Sequence, residues 1–113
     1  MTQLSSTHWI AAVCLLLFVC TTRSAGAEIP EPLGKLIRQT CLDCHDGESA
    51  EGGLDLASLA FTLDDRELRD RWILIHDRIR AGEMPPDPTT LSDPDRQTLL
   101  KTLNDALAKA DRA

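Results

Sequence analysis

Cys41 and Cys44 stand three positions apart with His45 directly after the second thiol, in the run Cys41-Leu42-Asp43-Cys44-His45. Two thiols and a neighbouring imidazole at this spacing match the attachment site of a c-type haem. The spacing has a physical reason: one short turn offers both sulfurs to the two vinyl edges of a porphyrin while the histidine reaches the iron beneath the plane. A thioredoxin-like dithiol shares the Cys-x-x-Cys part, but that motif opens a helix inside a βαβ unit, and no strand pattern surrounds it here. A haem-free metal site would join Cys41, Cys44 and His45 to a fourth protein ligand, for which only His76 is obvious.

Iron in an electron carrier takes a second axial ligand, and beyond the first quarter of the chain the candidates are Met84 and His76. Met84 sits in Gly82-Glu83-Met84-Pro85-Pro86, where the prolines fix the backbone and aim the thioether at little ordering cost. A thioether is a soft donor that favours ferrous iron, so His/Met ligation raises the potential relative to two imidazoles. His76 follows Ile75 at the edge of an apolar stripe, the usual place of a boundary histidine. Met84 is therefore the expected distal ligand and His76 its rival. Were Met84 off the iron, peroxide or a diatomic gas would have an open position, and the reading would change to a haem enzyme or sensor.

The elements that must hold these residues read as helices. Leu33, Leu36 and Ile37 recur at helical spacing and run into Cys41. His45 to Gly53 is polar and glycine-rich, hence a loop, and the pattern from Leu54 to Phe61 does not decide between a helical turn and an extended piece. Thr62 or Asp64 can cap a helix whose Leu68, Trp72, Ile75 and Ile79 form a core-facing stripe, with a stop at Ala81-Gly82 enforced by the prolines that follow. Ser92 can cap a last helix whose buried face holds Leu99, Leu100, Leu103, Ala106 and Leu107. Trp72 reads as a core anchor whose indole donor needs a partner, for which a haem propionate is one candidate. Arg71, Arg78 and Arg80 could neutralise propionates, with nothing in the sequence to choose among them.

The first 27 residues read as a secretory leader, leaving 28–113 as a single domain. Trp9 to Cys20 is a 12-residue apolar run, short of the roughly 20 that a membrane-spanning helix needs. Ala25-Gly26-Ala27 then supplies small residues for cleavage before Glu28. No Lys or Arg precedes the run, which leaves an uncleaved membrane anchor as the alternative. Removal of the leader takes Cys14 and Cys20 with it, so only the motif cysteines remain and no disulfide framework can form beyond a local ring. Eleven basic residues then face 18 acidic ones, a balance of −7. That charge argues against nucleic acid and for a partner with a basic or mixed face.

Taken in order, Cys41 to His45, Gly52-Gly53-Leu54-Asp55-Leu56, Trp72 ahead of a helix ending in Arg80-Ala81-Gly82, the Met84-Pro85-Pro86 loop and a leucine-rich last helix resemble the planctomycete-type cytochrome c domain. This domain is a branch of the class I cytochrome c fold. The resemblance implies an all-α fold of about three to five helices wrapped around one covalently bound haem c, with the terminal helices crossing. It also implies Cys41 and Cys44 as thioether sites, His45 as proximal ligand and Met84 as distal ligand. Such domains often lie in much larger proteins, so the redox partner is undefined. The expected function is an exported, periplasmic mono-haem cytochrome that passes single electrons between redox partners. No acid/base pair, activated nucleophile or phosphate loop points to an enzyme in its own right.

Overall fold

The computed structural model describes residues 27–113, so all of the expected leader except Ala27 lies outside them. The described chain forms four helices, α1 (Leu33–Thr40), α2 (Leu42–His45), α3 (Arg66–Arg80) and α4 (Asp93–Asp111), with a single 3-10 turn at Glu51–Gly53. There is no strand among the described residues, and no helix among them is long and apolar enough to cross a membrane.

Helix α1 begins immediately after Pro32, and the Glu31 carboxylate serves its first turn by accepting from the Lys35 amide at 3.1 Å and from the Arg38 guanidinium at 2.7 Å. Leu33, Leu36 and Ile37 are buried, as their spacing required. The thiol motif follows as one tight turn, in which the His45 and Cys44 amides both donate to the Cys41 carbonyl, at 3.1 and 3.3 Å.

Leu54 to Phe61, which the pattern left open, is not helical. Asp55 accepts from the Ala57 and Ser58 amides and turns the chain, so that Leu56 and Phe61 both point into the core.

The cap of α3 is Asp65 rather than Thr62 or Asp64. Its carboxylate accepts from the Leu68 amide at 3.0 Å, a bond available only to the residue directly before the first helical one. Trp72 is fully buried, rests edge-on against Phe61 with ring centroids 5.0 Å apart, and donates its indole N–H to the Ala60 carbonyl at 3.0 Å. Its hydrogen-bond partner is therefore main chain and not a propionate. Helix α3 stops as expected: Gly82 takes φ +75°, its amide bonds the Ile79 carbonyl and the Glu83 amide bonds the Arg78 carbonyl. These two bonds satisfy carbonyls that the last helical turn leaves without partners.

Ser92 caps α4, accepting from the Asp95 amide while its hydroxyl donates to the Asp95 carboxylate at 2.7 Å. Leu99, Leu103 and Leu107 fall on one face at i, i+4, i+8 and are buried. This face packs against both α1 and α3. The last helix thus braces the helix before the thiol motif and the helix before Met84.

Candidate functional site

Cys41, Cys44, His45 and Met84, four residues spread over two loops and a helical turn, share the wall of one cavity of about 600 Å³. This volume lies within the ~300–1,000 Å³ of pockets that hold small molecules and cofactors. The floor beside the thiol motif is the glycine loop, Gly52, Gly53, Leu54 and Leu56, and it is tied down by a 2.7 Å bond from the Leu56 amide to the His45 carbonyl. Gly52 and Gly53 take φ +65° and +75°, a backbone that side chains with a Cβ rarely adopt, which explains the pair.

Helix α3 gives the cavity a second wall through Arg71, Leu74, Ile75, Arg78 and Ile79. Their spacing is that of one helical face. The stripe expected from Leu68, Trp72, Ile75 and Ile79 is thereby divided: Trp72 turns wholly into the core, while Ile75 and Ile79 look onto the cavity together with Leu74. Leu74 is 56% exposed, which is why core-based reasoning on the sequence passed over it. Arg71 and Arg78 both line the cavity, and Arg80 does not. Arg71 pairs with Glu67 at 3.0 Å, Arg78 with Glu83, and Arg80 with Asp77 at 3.3 Å.

Met84 is 38% exposed, so it is not core filler. Its backbone is nevertheless held at both ends. The amide donates to the Arg78 carbonyl at 3.3 Å, and the carbonyl accepts from the Arg96 guanidinium at 2.9 Å. Pro85, Pro86 and Asp87 continue the wall. The Asp87 carboxylate closes that loop by accepting from the Thr89 amide and hydroxyl, which hold it below the usual carboxylate range, the hydroxyl contributing most. His76 is absent from the wall and its Nδ1 lies 3.1 Å from the Asp77 carboxylate, so the rival ligand faces elsewhere.

The donor chemistry of the wall fits a haem. His45 Nδ1 is buried with no hydrogen-bond partner, a cost that a structure rarely carries at a side chain of no use. Both motif cysteines are free thiols. Burial pushes the Cys41 thiol up; a hydrogen bond with the Thr40 hydroxyl, 3.4 Å away, opposes this and the Cys44 thiol adds to it. Among the described residues no group of three or more His, Cys, Asp or Glu side chains is placed to hold a metal ion unaided. His76, the candidate for a fourth ligand of a haem-free metal site, does not share the cavity wall with Cys41, Cys44 and His45.

Sequence reasoning missed Leu74, Thr40 and Arg96. Leu74 carried a usable signal, being one turn from Arg71 and Arg78 on the same helical face. Arg96 carried none, since an arginine in the first turn of an amphipathic helix is unremarkable until its acceptors are seen.

Residues 41–88 match the protein family described as Planctomycete cytochrome C. No curated protein and no solved structure matches the chain. The match begins at the first motif thiol and ends beyond the Met84-Pro85-Pro86 loop, so it spans all four of the sequence-selected wall residues, and a cytochrome c family points to covalently bound haem. The stretch from Cys41 to Pro88 is thus similar to the planctomycete-type cytochrome c domain.

Proposed function

We propose that this protein is an exported mono-haem c-type cytochrome, passing single electrons between redox partners through a haem held by Cys41, Cys44, His45 and Met84. The observation that carries the reading is that these residues, 40 or more positions apart at the extremes, line one mostly apolar cavity. When bound there, haem supplies exchange of one electron between ferric and ferrous iron.

The chain's own residues do the rest. Cys41 and Cys44 would hold the porphyrin through thioethers, and His45 and Met84 would ligate its iron. Thioether ligation raises the potential, and Leu54, Leu56, Ile75, Ile79 and Leu99 keep water from the site. Arg71 and Arg78 line the cavity and Arg80 does not, so they are the arginines that would neutralise the porphyrin carboxylates. Their existing partners are exposed carboxylates, whose ion pairs contribute little and exchange readily.

The acidic balance of the chain favours a redox partner with a basic or mixed face and disfavours nucleic acid. We further propose a periplasmic or otherwise exported location, with membrane attachment only through an uncleaved leader or a partner complex. In this reading the protein is a carrier, or the electron-transfer subunit of an oxidoreductase, and not an enzyme by itself.

The test is carbon monoxide binding to the ferrous holoprotein, with Met84→Ala alongside. The carrier reading expects a low-spin wild type that resists carbon monoxide and a variant that binds it rapidly at a lowered potential. A wild type that takes up carbon monoxide as fast as the variant would instead indicate an open iron site and a haem enzyme or sensor.

A further inference from the structure

Arg96 lies on α4, 12 residues beyond Met84, and the Nη1 of its guanidinium donates to two main-chain oxygens at once: Ile79 at 2.8 Å and Met84 at 2.9 Å. It forms no ion pair among the described residues, although Asp93 and Asp95 are close in sequence. An arginine that leaves carboxylates aside for two carbonyls is being used for geometry. One of those carbonyls belongs to the last turn of α3, where the helix presents partial negative charge to a cation.

The other belongs to a loop short of donors of its own. Pro85 and Pro86 have no amide hydrogen, so the Met84 carbonyl has to find its partner outside the loop. The Met84 amide is already committed to Arg78 on α3. With Arg96 on the other side, the backbone of Met84 is fixed between α3 and α4 while its side chain stays free to line the cavity. Arg96 itself is anchored, because its amide bonds the Ser92 carbonyl at 2.8 Å in the capped first turn of α4.

We infer that Arg96 is a positioning residue for the distal ligand: it locks the Met84 loop onto the packed helices and so governs how readily the thioether gives way to an outside ligand. The inference rests on the proposal that Met84 ligates the iron. It assigns to the last helix, outside the stretch that matches the family, a direct hold on the site.

The experiment uses ferric holoprotein, wild type, Arg96→Gln, Arg96→Lys and Met84→Ala, with imidazole as the competing ligand. Two readouts are followed: the thioether-to-iron charge-transfer band in the far red, and the rate of imidazole binding. Losing the charge-assisted hydrogen bond to the Met84 loop, together with the one to the end of α3, is expected to speed imidazole binding in Arg96→Gln by about tenfold or more. Arg96→Lys, which keeps the charge on a shorter side chain, is expected to fall between Arg96→Gln and wild type, and it carries the test if Arg96→Gln does not mature. A merely structural role would lower the denaturation midpoint and leave the imidazole rate unchanged; that outcome overturns the inference. The band should vanish in Met84→Ala. If it persists there, the ligation proposal fails and the inference fails with it, whereas loss in Met84→Ala with unchanged rates in both Arg96 variants removes the inference alone.

Discussion

The amide of Leu56 lies 2.7 Å from the carbonyl oxygen of His45, joining the glycine loop to the thiol-bearing turn from the main chain. The Leu56 side chain is buried and also forms part of the cavity wall. Leu56→Ala should therefore cost about 2–4 kcal/mol, the range of large-to-small changes in a packed interior. Denaturant unfolding of the haem-loaded protein measures this. A loss below about 1 kcal/mol would show that the loop is not packed as described.

Trp72 separates stability from the site. It is fully buried but does not line the cavity, and its indole bonds Ala60. Trp72→Phe should cost about 1 kcal/mol through the lost hydrogen bond, and Trp72→Ala about 3–5 kcal/mol through the void. Both variants, once folded, should keep the wild-type haem absorption spectrum. A shifted spectrum in Trp72→Phe would place the indole nearer the cofactor than its Ala60 bond allows.

Gly82 ends α3 at φ +75°, and no atom lies within 4 Å of where a Cβ would stand. The cost of Gly82→Ala is thus backbone strain without a clash, about 1–2 kcal/mol. Since Gly82 starts the turn that leads to Met84, the same variant should weaken the thioether band more than Trp72→Phe does. Equal thermal midpoints for wild type and Gly82→Ala would contradict the positive-φ turn.

Acid should loosen the chain through identifiable carboxylates. Glu31 is held below its ordinary value of 4.5 chiefly by the Arg38 side chain, Asp46 below 3.8 chiefly by the Ser49 amide, and Asp87 below 3.8 chiefly by the Thr89 hydroxyl. Each binds its proton more weakly folded than unfolded, so its contribution is complete above the ordinary value and is lost as pH falls through the depressed one. Stability of the holoprotein should be flat in this respect above about pH 5 and fall below about pH 4. Asp87→Asn should flatten part of that fall; an unaltered acid limb would mean that the loop closure at Thr89 is not made.

Much of this architecture was legible in the sequence, because helical spacing and terminator residues report on it directly. Leu33, Leu36 and Ile37 mark α1, Gly82 and the prolines behind it mark the end of α3, and Ser92 marks the start of α4. Cys41, Cys44, His45 and Met84 were selected by side-chain chemistry, and they meet at one cavity. What stayed hidden depends on contacts from side chains to main-chain atoms far away in sequence. The indole of Trp72 and the guanidinium of Arg96 both end on carbonyls, 12 and 17 residues away for Ala60 and Ile79, and a carbonyl has no residue-type signature. The choice of Arg71 and Arg78 over Arg80 likewise depends on which way α3 is rolled, which three arginines alone do not fix.

The most direct measurement is the intact mass of protein matured in an export-competent cell, combined with a pyridine haemochrome assay. The account predicts one haem per chain, retained under denaturing conditions and lost when Cys41 and Cys44 are both replaced by alanine. Bare polypeptide with no macrocycle would contradict it.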